Sequence, residues 1–246
     1  MTLKIVVITI IMSLFAINLN ADCIIKLRVR EAPPAYLKDN NGEWTGFVVE
    51  QAKAIVNAVG CKIMYIDMPW KRALFSLEEG SLDMLGNMSI TDERKLYSNF
   101  IGPHRFEKMR LIVNKDSNYQ IQKHEDLKNI PGKISLIRGL WYGEEIKQLL
   151  KDHSFSDKVH WVSGSKLAVQ EIERLRLGRV KAVVYPEFFL KDLSGIKYHS
   201  FIINSNPVYF GISKKSIAKP FLKKIEKAAI DLANSGEFEK IENLFH

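Results

Sequence analysis

The sequence has little of the chemistry that most enzymes need. It contains two cysteines, and its six histidines are scattered along 246 residues. Neither cysteine has a histidine or a second cysteine at metal-ligand spacing, so no metal site is predicted. We find no Ser-His-Asp or Cys-His arrangement, no phosphate-binding glycine loop and no low-complexity segment. These absences argue against a metalloenzyme, a nucleophilic hydrolase and a nucleotide-binding enzyme, and they predict that the chain uses no cofactor.

Long hydrophobic runs are also absent, except at the N terminus. Residues 1–4 are a short basic start, and residues 5–16 are almost entirely apolar. This run is shorter than the ~20 residues that span a bilayer, so we predict a signal peptide over residues 1–21. The alternatives are an uncleaved anchor or a lipid on Cys23, where Asp22 replaces the small residue that a lipoprotein signal needs. We therefore expect the mature chain in the periplasm of a Gram-negative bacterium.

Charge of one sign predominates without forming a block. The chain has 36 Lys and Arg against 28 Asp and Glu, which gives a formal net charge of +8. The cations are spread along the whole chain, whereas nucleic-acid-binding proteins usually concentrate them. The balance indicates an anionic ligand or an acidic partner surface, and no nucleic-acid partner is predicted.

The two cysteines each precede an apolar run that we interpret as a strand. Cys23 precedes Ile24–Val29, and Cys61 precedes residues 62–68. Parallel neighbouring strands lie ~4.8 Å apart, within the separation that a disulfide tolerates. An exported chain also meets an oxidising compartment. A Cys23–Cys61 disulfide is therefore predicted if the two strands are neighbours, with two free thiols as the alternative.

Short apolar runs alternate with helical patterns along the mature chain. Helical stripes fall within residues 44–60 and 70–80, each ended by a glycine, and a third strand is predicted over residues 82–86. A second set of strands and helices follows Pro103. Near-continuous apolar strands between helices are typical of a parallel sheet covered on both faces. The pattern predicts an α/β fold of two doubly wound lobes, with a ligand crevice beyond the carboxyl ends of the strands.

The stretch GNMSITDERK, residues 86–95, lies at such a strand end. Gly86 is predicted to form a tight turn before the next helix. Arg94 then puts a cation into the first helical turn, where the helix dipole disfavours it by ~0.3–1 kcal/mol. A guanidinium near Asn87 and Ser89 has the geometry to grip a carboxylate, which would supply the missing negative charge. The alternative is that Arg94 only pairs with a neighbouring acid on the surface.

The motif Ser89-x-Thr91-x-x-Arg94 resembles the signature of the family-3 periplasmic solute-binding proteins, which serve polar amino-acid ABC transporters. Similar segments occur in order along the mature chain. The resemblance implies a type II periplasmic binding protein, in which two lobes are joined by a two-segment hinge. The lobes would be residues 22–106 plus 207–246, and residues 107–206. The other similar segments are residues 32–55, 132–146, 175–185 and 234–245.

The resemblance also implies a ligand site in the first lobe. By it, Arg94 would bind a ligand carboxylate, and Ser89 with the Asn87 region would add hydrogen bonds. Tyr36 and Trp70 would sandwich the body of the ligand. Ordinary core packing is the alternative for both aromatic residues.

The second half of the chain departs from the family pattern. Gly139 is expected to open a helix, but Leu140 replaces the usual hydroxyl residue and Trp141 follows. Pro186 stands where an Asp commonly grips the ligand's ammonium group, and Glu187 comes next. Either Glu187 substitutes for that Asp, or the ligand has no α-ammonium group.

The predicted function is therefore a periplasmic binding protein and not an enzyme. It would capture a small carboxylate-bearing solute, an amino acid or a related compound, by hinge closure. We expect a monomer that presents the ligand to an ABC transporter permease or to a sensor. The alternative is a dehydratase-like enzyme acting on a cyclic carboxylate with Glu187 as general acid, since burial raises the pKa of a carboxyl group. The sequence names neither the ligand nor the permease.

Overall fold

The computed structural model of the protein describes residues 23–163, 167–187 and 192–245. The predicted signal peptide lies outside the described residues. Within the described ranges, no helix combines the length and the apolar character needed to cross a membrane.

Eight strands form one mixed sheet, and two short strands form a separate hairpin. The strands are β1 (Ile24–Val29), β2 (Leu37–Lys38), β3 (Trp44–Thr45), β4 (Lys62–Asp67), β5 (Met84–Met88), β6 (Ser98–Asn114), β7 (Ile134–Ile137), β8 (Val159–Val162), β9 (Ala182–Pro186) and β10 (Ile196–Ser213). The sheet order is β4-β1-β5-β10-β6-β9-β7-β8. β1 runs parallel to β4 and β5, β7 runs parallel to β8 and β9, and the long strands β6 and β10 are antiparallel to their neighbours. The α/β prediction is confirmed.

The helices follow the apolar stripes read from the sequence. α2, for example, buries Ala73, Leu74 and Leu77 and ends at Gly80, which adopts the left-handed conformation typical of a helix end. The helices are α1 (Phe47–Ala58), α2 (Trp70–Glu79), α3 (Asp92–Tyr97), α4 (Glu144–Leu149), α5 (His153–Ser156), α6 (Leu167–Arg176), α7 (Leu222–Asn234) and α8 (Glu237–Asn243), with 3₁₀ turns at His124–Asn129 and Lys219–Phe221.

The two ends of the sheet have separate hydrophobic cores. We call β1, β4 and β5 the β1 end, and β7, β8 and β9 the β7 end. Phe47, Phe210 and Phe238 belong to a cluster at the β1 end, whereas Leu136 and Phe155 belong to a cluster at the β7 end. β10 and β6 lie side by side between the two ends.

The disulfide prediction is confirmed. β1 and β4 are parallel neighbours, with Ile24 opposite Lys62, so Cys23 and Cys61 stand side by side just before them. The two sulfurs are bonded, and the Cα atoms lie 4.7 Å apart. Strand adjacency is therefore sufficient to bring the cysteines together.

β6 and β10 are longer than the sequence indicated. The apolar run at residues 109–114 predicts a strand, and connecting strands are expected near residues 104–107 and 204–208, whereas β6 and β10 are each one continuous strand. Glycine, proline and asparagine around residues 102–104 and 204–207 usually interrupt strands. Here the pairing passes through these positions with register shifts, one of which separates the Arg105–Val208 pair from the Ile101–Phe210 pair. Bulges absorb the extra residues and keep both strands continuous.

Two glycine predictions are wrong. Gly86 does not form a turn, because it lies inside β5. A Cβ atom on Gly86 would lie 2.4 Å from Cγ1 of Val48, so the glycine allows α1 to approach the strand closely. Gly139 does not open a helix: it has a φ of +85°, and α4 begins at Glu144, after Gly143.

Candidate functional site

The two ends of the sheet meet where the turn after β7 touches α2. Gly139 is in this turn, and a Cβ atom there would lie 3.3 Å from both Trp70 Cδ1 and Leu74 Cδ1. The contact brings the Gly139 carbonyl of the β7 end to side chains of the β1 end. We call this meeting place, which includes Arg94, the crevice.

Arg94 lies inside the crevice and is only 5% exposed. Its Nη1 donates to the Ser89 carbonyl oxygen at 2.8 Å, and its Nη2 donates to the Gly139 carbonyl oxygen at 2.9 Å. Asp92, a candidate surface partner, instead binds Lys95 at 3.0 Å. Within the described ranges, no carboxylate forms a salt bridge with Arg94. Burial disfavours the charged guanidinium and lowers the pKa of Arg94.

Trp70 shares the acceptor that Arg94 uses. The Trp70 indole Nε1 donates to the Gly139 carbonyl oxygen at 2.9 Å, and the Arg94 guanidinium carbon lies 6.0 Å from the Trp70 ring centroid. One carbonyl oxygen thus accepts from two side chains on the opposite side of the crevice. A carboxylate oxygen is a stronger acceptor of the same kind, so it could take the place of this carbonyl.

Tyr36 and Trp70 both pack against a residue that the sequence analysis missed. The Arg28 guanidinium carbon lies 5.4 Å from the Tyr36 ring centroid and 5.6 Å from the Trp70 ring centroid, and its Nε donates to the Met68 carbonyl oxygen. Burial lowers the pKa of Arg28 and raises the pKa of Tyr36 to about 12. The available signal was a cation inside IIKLRV, a strand whose neighbouring positions are buried.

Asn87 is held by a chain of hydrogen bonds that leads away from the crevice. It has a φ of 56°, which few non-glycine residues adopt, and its N–H donates to His104 Nε2 at 3.3 Å. Since Nε2 is an acceptor, the ring proton is on Nδ1 and is donated to Gln51 Oε1 at 2.9 Å. Gln51 Nε2 donates in turn to the Phe238 carbonyl oxygen. A neutral His104 therefore fixes the Asn87 backbone in this conformation.

Because His104 is buried in its neutral form, we expect acid to destabilise the ligand-free fold. Burial, and secondarily Arg105, lowers the pKa of His104 well below 6.5. Below about pH 6.5 the unfolded chain therefore gains a proton that the folded chain does not, and the free energy of unfolding falls by up to ~1.4 kcal/mol per pH unit. Burial raises the pKa of Glu107, which opposes this loss nearer pH 4.5. Urea unfolding between pH 7.5 and 5.5 should show a smaller loss in His104→Gln.

The control for this measurement is His153→Gln, because His153 is exposed. Its pH dependence should match that of the wild type. Equal slopes for His104→Gln and the wild type would show that His104 does not carry the effect.

Trp141 and Glu187 have other neighbours. Lys147 Nζ lies 5.9 Å from the Trp141 ring centroid. The Glu187 carboxylate pairs with Arg110, and its Oε2 lies 4.0 Å from Lys108 Nζ. In the part of the chain that the structure describes, no hydrogen bond or ion pair joins Trp141 or Glu187 to Arg94. Of the predicted ligand-binding residues, the contacts above bring Trp70, Ser89, Arg94 and Gly139 together directly, and Tyr36 joins them through Arg28.

Two relatives of similar sequence carry names that describe ligand binding. The chain is 26% identical over 208 residues to the probable amino-acid-binding protein YxeM of Bacillus subtilis, covering 82% of this chain and 75% of YxeM. It is 26% identical over 162 residues to the L-cystine-binding protein TcyJ of Escherichia coli K12, covering 65% of this chain and 58% of TcyJ, which is less than two thirds of that relative. A solved structure of an ancestral arginine-binding protein bound to arginine matches with a TM-score of 0.74 and 26% identity, covering 90% of this chain and 97% of that chain.

The family match covers most of the chain. The sequence model of the bacterial extracellular solute-binding proteins, family 3, matches residues 25–246. These residues include every strand and helix given above, except for Ile24, the first residue of β1. The chain belongs to the bacterial extracellular solute-binding proteins of family 3.

Proposed function

We propose that this protein captures a small carboxylate-bearing solute, an amino acid or a related acid, in the crevice. The observation that carries the proposal is the buried Arg94 guanidinium, which is held by neutral carbonyl oxygens and has no salt bridge in the described ranges. Buried charges are normally paired, so a ligand carboxylate would supply the partner. The ligands named for YxeM and TcyJ belong to this chemical class.

We propose that capture closes two lobes, residues 22–106 plus 207–246 and residues 107–206, about β6 and β10. The two separate cores and the side-by-side position of β6 and β10 between them support this division. Hinge closure around a ligand is an established motion of periplasmic binding proteins. In the closed form, the Gly139 turn would meet Trp70 and Arg94, as the two hydrogen bonds to its carbonyl oxygen suggest.

The partner in this proposal is an ABC transporter permease or a sensor in the membrane, which receives a monomeric, ligand-loaded protein. Such a partner can respond only if the ligand makes different contacts in the open and closed forms. Ligand contacts to both Arg94 and the Gly139 turn would meet this requirement, because the two groups belong to different proposed lobes.

A thermal-shift screen of amino acids and small carboxylates, followed by small-angle scattering with each hit, tests the proposal. Binding should raise the melting temperature, and each hit should decrease the radius of gyration. If the free protein is already closed, the hit should instead make it more rigid. Neutral sugars serve as the control class. Stabilisation by sugars, and by no acid, would contradict the proposed ligand class.

The dehydratase alternative assigned Glu187 the role of general acid. The Glu187 carboxylate is already engaged by Arg110 and makes no hydrogen bond or ion pair with Arg94 in the described part of the chain, so the geometry favours binding over this chemistry. Mass spectrometry of cyclic hydroxycarboxylates incubated with the wild type and with Glu187→Gln checks the point. We expect no turnover by either protein, and dehydration that is lost in Glu187→Gln would establish the enzyme.

A further inference from the structure

Two of the three arginines buried in the described part of the chain have no carboxylate partner. Arg105 is the neutralised one, with Nη1 at 3.4 Å from Glu107 Oε1 and Nε at 3.2 Å from Glu242 Oε1. Arg28 and Arg94 are 7% and 5% exposed, yet neither forms a salt bridge in that part of the chain. An unpaired buried charge is costly. The fold neutralises Arg105 itself, whereas Arg28 and Arg94 would need a partner from outside the protein.

The two unpaired cations lie beside the same aromatic ring. The guanidinium carbons of Arg28 and Arg94 lie 5.6 Å and 6.0 Å from the centroid of the same Trp70 ring. Asp67 is the acid in β4, the strand that pairs with β1. Its carboxylate binds Arg30 at 2.9 Å. A single small molecule in the crevice could therefore contact both guanidinium groups.

We propose that Arg28 binds a second acidic group of the ligand, so that the solute is a small diacid. Arg94 takes one acidic group, and Arg28 takes the other beside Tyr36 and Trp70. This inference rests on the proposed function and narrows its ligand class to compounds such as acidic amino acids and dicarboxylates. The second negative charge of the ligand offsets the desolvation of Arg28, which the protein itself leaves unbalanced.

A purely structural role for Arg28 makes a different prediction. Its guanidinium packs on Tyr36 and Trp70, and cation–π contacts of this kind add stability. If packing were its only role, replacing Arg28 would change the melting temperature, but it would not change how the protein ranks diacids against monoacids. The ranking is therefore the readout that separates the two roles.

The test uses matched pairs of probes on the disulfide-bonded, mature protein. L-glutamate is compared with L-glutamine, and succinate with butyrate, by calorimetric titration. Of the two diacids, we consider the one that binds the wild type more tightly. We expect the wild type to bind it at least about 10-fold more tightly than its monoacid counterpart, as a charge-assisted contact allows. In Arg28→Gln this preference should fall to about one. The matched control is Arg30→Gln, which should keep it because Asp67 already neutralises Arg30.

The outcomes separate this inference from the proposed function. If monoacids bind as tightly as diacids in the wild type, or if Arg28→Gln keeps the preference, Arg28 does not read a second acid, while carboxylate capture by Arg94 still stands. If no acid of either kind binds, the proposed function fails and this inference fails with it. Should Arg28→Gln not fold, Arg28→Met replaces it, because methionine keeps an unbranched apolar stem without the charge, and an unchanged preference in that variant overturns the inference.

Discussion

Arg94→Ala should abolish the thermal stabilisation that the ligand gives to the wild type. The guanidinium is buried and has no carboxylate partner in the described ranges, so the ligand would provide its principal charge-assisted contact. Removing one partner of a buried charged pair costs 2–5 kcal/mol, which corresponds to at least about 30-fold weaker binding. Calorimetric titration with the best acid from the screen measures this loss.

The fold of Arg94→Ala should remain intact, because the change removes a buried cation and two hydrogen bonds to carbonyl oxygens that lie beside the crevice. Lys95→Ala is the matched control, since Lys95 is the next residue of α3, is exposed and pairs with Asp92 on the surface. It should bind like the wild type. A normal melting temperature together with unchanged affinity in Arg94→Ala would remove Arg94 from the site.

Replacing both cysteines by serine should cost about 4 kcal/mol of unfolding free energy. The Cys23–Cys61 bond closes a loop with a sequence separation of 38, and the chain-entropy model gives a value of this size for such a loop. For a protein of this length the loss corresponds to a melting temperature lower by about 10 °C. Urea unfolding of Cys23→Ser/Cys61→Ser and of the wild type measures the difference.

Reductant supplies the control for the disulfide. It should lower the stability of the wild type to that of the double variant, and it should leave the double variant unchanged. Mass spectrometry of the exported protein should show the two cysteines linked. Two alkylatable thiols in that protein would contradict the prediction.

Local features of the fold could be predicted from the sequence because their causes are local. The apolar run at β1 gave the observed bounds, Ile24–Val29, and the stripe in α2 gave a helix that starts at Trp70. The disulfide followed from strand adjacency, since a parallel register places equivalent residues side by side. The family motif placed Arg94 and Ser89 near each other, and their hydrogen bond spans only five residues.

The features that escaped prediction depend on contacts between distant residues. The continuity of β6 through Gly102 depends on its pairing with β10, which compensates for residues that usually break strands. Gly139 meets Trp70 across 69 residues of sequence, and no local pattern encodes that approach. The same holds for Arg28: the sequence shows a cation in a strand, but only the packed structure shows that the cation is buried beside Trp70, with no salt bridge to any described residue.

A crystal structure of the protein with its tightest-binding acid tests the central claim most directly. We expect an acidic group of the ligand within about 2.7–2.9 Å of an Arg94 Nη atom, the usual length of a charge-assisted hydrogen bond. In that complex the Gly139 carbonyl oxygen should have given up at least one of its two donors to the ligand. A ligand bound elsewhere, with Arg94 still held by the Ser89 and Gly139 carbonyl oxygens, would contradict the claim.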